Sequence, residues 1–152
     1  VFVAHCPSSN MNLSSGIAPI RKYLDLGLKI GLGSDVAGGH SESMLRAVCD
    51  AVQVSKLYWR LIDENNKPLT FKEAFYLATI GGGEFFGKVG SLDKDYECSF
   101  VVLDDSINKF PNKLSITQRI ESAAYSSIDL YGVCAKYIRG NKVYEKEWYK
   151  WE

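Results

Sequence analysis

The chain has 152 residues, about the size of one average domain and long enough to bury a core. Its 18 lysines and arginines balance 18 aspartates and glutamates, with no long block of either sign, which argues against nucleic acid or a membrane surface as the main partner. No apolar run approaches the roughly 20 residues that span a bilayer, and the opening Val1-Phe2-Val3-Ala4 lacks both a signal-peptide pattern and an initiator Met, as expected of a piece cut from something longer.

Phe2 to Cys6 reads as a first strand, stopped by Pro7 and followed by a polar loop from Ser8 to Gly16. Ile17 to Leu26 reads as a helix, with Pro19 in its first turn, Gly27 as its stop, and Ile17, Ile20, Tyr23 and Leu24 on one face. Lys29 to Ser34 is a second apolar strand. Strand, helix and strand within about 35 residues form a βαβ unit, whose strands are parallel neighbours.

That second strand ends on Asp35 and runs into Val36-Ala37-Gly38-Gly39-His40. The carboxyl ends of parallel strands are where α/β folds place their ligands. Burying a carboxylate is costly unless it is paired, hydrogen-bonded or bound to a metal, so Asp35 is the first candidate for chemistry. The competing role, capping the next helix, falls more naturally to Ser41. A dinucleotide loop is disfavoured because Gly31 and Gly33 lie inside the strand and Val36 stands where the third glycine belongs.

From Glu42 to about Ile62 the pattern is helical. Met44, Leu45, Val48, Ala51, Val52 and Ser55 line the inner face, and Arg46, Asp50, Gln53 and Lys56 face out. Asp63 to Pro68 is a turn-forming linker. Thr70 and Glu73 match a capping box opening a helix to about Ile80, ended by Gly81-Gly82-Gly83, with a short helical piece at Glu84 to Phe86. Short β segments follow at Val89–Leu92, Ser99–Leu103, Lys136–Arg139 and Lys142–Tyr144, the last two joined by a turn at Gly140-Asn141. Asp104 to Thr117, with Pro111, reads as loop, and Gln118 to Ser126 as helix or extended chain.

Cys6, Cys49, Cys98 and Cys134 are widely spaced and form no C-x-x-C pair, which predicts buried thiols in a reducing, cytoplasmic setting. With only His5 and His40 in the chain, a self-sufficient zinc site is not expected, since catalytic zinc usually takes three protein ligands.

Two stretches carry a resemblance. Val3-Ala4-His5-Cys6-Pro7-Ser8-Ser9-Asn10 with Leu13-Ser14-Ser15-Gly16, and Gly31-Leu32-Gly33-Ser34-Asp35-Val36-Ala37-Gly38-Gly39, strongly resemble the guanine deaminase family of the metal-dependent amidohydrolase superfamily. Lys67-Pro68-Leu69-Thr70, Ala74 to Thr79 and Gly87 to Ser91 resemble it too. The resemblance covers nearly the whole chain and is weakest between Ser106 and Ala135.

It implies an α/β fold. Residues 1–87 would be the C-terminal part of a (β/α)8 barrel holding its last two strands, and 88–152 a segment of a small β-sandwich domain. It implies zinc, with iron as the variant metal, and one ion whose H-x-H and other histidine ligands lie upstream of Val1. Asp35 would be metal ligand, substrate-binding and catalytic residue at once, shuttling the proton of a metal-activated water. His5, in this family not the zinc histidine, together with Ser9 and Asn10, would brace the loops beside the site. His40 would be a surface or loop-packing residue.

The implied reaction is hydrolytic deamination of guanine to xanthine and ammonia. A small-molecule purine would be the partner, with no nucleic acid or membrane, and a homodimer for the full-length enzyme. Tyr58 and Trp59 would pack on the sandwich domain. The fragment alone would be inactive and prone to aggregate. Another amidohydrolase deaminating or dechlorinating an aminated purine, pyrimidine or triazine ring is the alternative, and a non-catalytic barrel remnant the third reading. Deaminases that use H-x-E with P-C-x-x-C are excluded, because neither motif occurs.

Overall fold

The computed structural model describes residues 1–106, 113–126 and 132–147. Strand β1 (Phe2–His5) and strand β2 (Lys29–Leu32) pair in parallel, with Val3 opposite Ile30 and His5 opposite Leu32. Helix α2 (Ile20–Asp25) is the crossover between them, as a parallel pair requires. It is shorter than the pattern from Ile17 predicts, since the chain turns helical only after Pro19. Ile20 is its buried anchor, and Tyr23 and Leu24 pack beside it.

Of the loop expected from Ser8 to Gly16, only residues 13–16 are non-helical. Pro7–Asn12 is a helix, α1, with Pro7 in its first turn. Proline lacks only a donor that a first turn leaves unpaired, and its fixed φ suits a helix start. The Asn10 amide then reaches the Cys6 carbonyl at 3.0 Å. The residue that stops the strand therefore also starts a helix.

Helix α3 (Met44–Leu61) is the longest described helix, and its buried face shares one core with Ile20, Ile30 and Leu77. Its cap is Ser43, which accepts from the Arg46 amide at 3.0 Å; Ser41 instead accepts from the Ser43 amide. Val48, Ala51 and Val52 face the core beside Ile30 and Leu77. Met44 is exposed, and Asp50, which the spacing assigns to the outer face, is 2% exposed and ion-paired to Arg46 at 3.1 Å. The inner face is wider than the apolar stripe. Tyr58 turns toward Ala18, Arg21 and Lys67, where it lines a small cavity on the α2 side.

Thr70 and Glu73 form the predicted capping box at the start of α4 (Phe71–Tyr76). The three glycines do not end this helix. It continues as a π-helical turn over Leu77–Gly81 and on through Gly82. The reason is close approach: a Cβ on Gly31 would stand 2.7 Å from the Gly82 Cα, so two bare backbones meet where the helix end presses on β2. Glu84–Phe86 is turn rather than helix, and Val89–Leu92 is not a strand.

The second sheet is antiparallel, in the order β3 (Phe100–Leu103), β4 (Val133–Ile138), β5 (Asn141–Glu145). Its hairpin turn lies one residue earlier than the sequence indicates, at Arg139 and Gly140, whose φ values of 51° and 77° match the twist of a tight hairpin. Arg139 is held in this conformation by Ser99, which accepts from its amide at 3.0 Å, and by Glu97, which pairs its guanidinium at 3.0 Å. The ambiguous segment is helix α5 (Ile116–Tyr125), capped by Ser115 and Gln118, so the predicted loop ends before Thr117. Pro111 lies outside the described residues. No described helix is long and apolar enough to cross a membrane.

Candidate active site

Asp35 follows the carboxyl end of β2, beside the end of β1. The Gly33 amide donates to the His5 carbonyl at 2.9 Å and carries the pairing one step past the strands. Asp35 then takes φ 46°, in the left-handed region, which Asp tolerates better than most side chains. The turn swings the chain away from β2 toward α1.

Within this chain Asp35 is exposed. The argument from the cost of burial therefore does not single it out here. Its partner does. Ser9 Oγ, on the 3% exposed Ser9 of α1, donates to Asp35 Oδ2 at 2.6 Å. That bond fixes one carboxylate oxygen and leaves Oδ1 without a hydrogen bond among the described residues. Gly38 packs against the same pair, since a Cβ there would lie 2.8 Å from Ser9 Oγ and 2.9 Å from Asp35 Oδ2.

His5 and Asn10 are placed differently. His5 ends β1, is 3% exposed, and burial lowers its imidazole to a pKa of about 4, so the ring is neutral at neutral pH. Asn10 takes part through its backbone, accepting from the Ser15 amide at 3.0 Å. Asn12, which the sequence did not single out, donates from Nδ2 to the Gly38 carbonyl at 2.8 Å. Its signal was its place three residues after Ser9, legible only once the segment is known to be helical. His40 Nδ1 lies 2.7 Å from the hydroxyl of buried Ser8. Burial, and then the charge of Asp35, push the Cys6 thiol up, so it stays protonated beside the carboxylate. All four cysteines are thiols, Cys49 buried and Cys98 exposed, which corrects the expectation of buried thiols throughout.

As a donor set for a metal, the described residues offer no group of three His, Cys, Asp or Glu side chains. Asp35 alone, with one oxygen braced and the other free, fits a single ligand position.

The sequence profile described as the Amidohydrolase family matches residues 1–130. The chain belongs to the amidohydrolase family. Guanine deaminase from Dictyostelium discoideum is 34% identical over 149 residues, covering 93% of this chain and 32% of that protein. The crystal structure of guanine deaminase from C. acetobutylicum with bound guanine superimposes with a TM-score of 0.88 at 40% identity, covering 95% of this chain and 34% of that one. A zinc-bound adenosine deaminase from Xanthomonas campestris, 22% identical over 93% of this chain and 31% of its own, shares the fold with a TM-score of 0.72. This amidohydrolase chain thus spans about a third of the length of the relatives it matches.

Proposed function

We propose that this chain is the C-terminal part of a metal-dependent guanine deaminase. Residues 1–87 form the end of its (β/α)8 barrel, with β1 and β2 as the last two strands, and residues 88–152 form a segment of its small β-sandwich domain. The observation that carries the reading is the Ser9–Asp35 hydrogen bond, which joins the two motifs of the resemblance at the carboxyl ends of adjacent parallel strands. The guanine deaminases similar to nearly the whole chain support the substrate.

In this reading Asp35 is one ligand to a zinc ion whose other ligands lie in the remainder of the enzyme. Zinc, when bound, supplies a Lewis acid that brings the ionisation of water near neutral pH. The chain's own part is proton handling. The Asp35 carboxylate takes a proton from the attacking water and returns it to the departing nitrogen, so that guanine and water become xanthine and ammonia. Ser9 keeps Oδ2 occupied, which holds the carboxylate in one rotamer through both transfers. Buried His5 stays neutral and adds no competing charge beside the site. The full-length enzyme, in this reading, is a homodimer.

The test is the full-length enzyme with zinc restored, followed by loss of guanine absorbance beside Asp35→Ala. Activity that disappears in the variant together with metal content supports both roles of Asp35. A wild-type enzyme that holds zinc but leaves guanine untouched moves the substrate to another aminated ring.

A further inference from the structure

The loop from Asp35 to His40 is fastened by one short helix at three points. Ser9 holds Asp35 at 2.6 Å, Asn12 holds the Gly38 carbonyl at 2.8 Å, and Ser8 holds His40 at 2.7 Å. At 100° per residue, positions 8, 9 and 12 fall within about one third of the helix circumference, so α1 presents all three side chains to the same loop.

The Ser8–His40 contact is doubled. The His40 amide also donates to Ser8 Oγ at 3.3 Å, so the backbone and the ring of His40 both meet one hydroxyl. Ser8 is 3% exposed, so water does not compete for the bond. Between the fastened ends there is little slack. The Gly39 amide turns back onto the Asp35 carbonyl, and a Cβ on Gly39 would stand 3.3 Å from Ser8 Oγ.

We propose that Ser8 and His40 are positioning residues for Asp35. They fix the far end of the loop, and through it the left-handed backbone that aims the free Asp35 oxygen. The pair reaches the reacting centre only through the loop. This rests on the reading of Asp35 as a metal ligand. It gives His40 a positioning role that its place on the surface does not indicate.

The experiment uses the full-length zinc enzyme with Ser8→Ala, His40→Ala and His40→Asn, the last keeping a hydrogen-bonding atom near the place of Nδ1. Two quantities are read: zinc affinity by chelator competition, and kcat and KM for guanine. Since partners of a ligand's own partner act at one remove, Ser8→Ala and His40→Ala should each weaken zinc binding by about three- to tenfold and lower kcat about tenfold, with KM nearly unchanged. His40→Asn should recover most of both. If buried Ser8→Ala fails to fold, the exposed His40 variants still decide. Zinc affinity and kcat near wild type in His40→Ala would overturn the proposal, as would a rise in KM alone, which would mean that His40 touches the substrate. A wild-type enzyme inactive on guanine would refute the substrate reading, while the zinc affinities would still test the clamp.

Discussion

Ser9 and Asp35, 26 residues apart in sequence, meet through a 2.6 Å hydrogen bond in which a buried hydroxyl donates to one oxygen of an exposed carboxylate. The bond ties the first turn of α1 to the residue that follows β2. It converts a flexible side chain into a fixed one with a single oxygen free.

Ser9→Ala removes that constraint without removing the carboxylate. In the full-length enzyme we expect zinc affinity to fall about ten- to hundredfold and kcat to fall with it, while KM for guanine changes little. Stability should drop by only about 1 kcal/mol. Zinc titration alongside thermal melting separates the two effects, and an equal loss of fold and metal would contradict them.

His5 gives a pH dependence with a definite sign. Its folded pKa is lowered to about 4 from the usual 6.5 by burial. Below 6.5 the unfolded chain takes up a proton that the folded chain does not accept until about 4. The unfolded state binds more protons across that window, so stability is complete above it and is lost as pH falls through it, by about 3 kcal/mol in all. Urea midpoints at pH 7 and pH 4.5 should diverge in the wild type and converge in His5→Gln.

Gly31 has no room for a side chain. A Cβ there would meet the Gly82 Cα at 2.7 Å, and neither backbone can yield without moving β2 or the π-helical turn. Gly31→Ala should cost about 3 kcal/mol, the upper range of an overpacked core. Gly27→Ala, at φ +71° with open space around it, should cost only about 1 kcal/mol. Thermal melting of the two variants ranks them, and equal losses would refute the close-approach argument.

Asp50 is a buried carboxylate with one oxygen bonded to Arg46 and Oδ2 without a hydrogen-bond partner among the described residues. Arg46→Ala would leave the charge unpaired at a 2% exposed position, and we expect a loss of about 2 kcal/mol, reduced from the fully buried case because Arg46 is half exposed. Asp50→Asn removes the charge itself and should cost less. Denaturant unfolding of the pair checks the order, and a greater loss in Asp50→Asn would reverse the reading.

What the amino-acid sequence determined by itself is whatever short-range physics writes locally. Two short apolar runs flanking a helical stretch gave the parallel strand pair, Thr70 and Glu73 gave the capping box, and an acid at the end of an apolar strand singled out Asp35 as a candidate. Capping, turn chemistry and periodicity act over three or four residues, so they survive without a fold. The tertiary structure decided everything that depends on a partner far along the chain. Pro7 reads equally as a strand stop or a helix start, and α1 exists to be fastened to a loop 26 to 32 residues away. Gly81 to Gly83 read as a helix stop, but β2 lies against them, and a helix can run on where a bare backbone is needed for contact. Arg139 enters a turn conformation it disfavours because Glu97 and Ser99 hold it there. Asp50 falls on the polar side of its helix, and only packing against other elements makes that side an interior one.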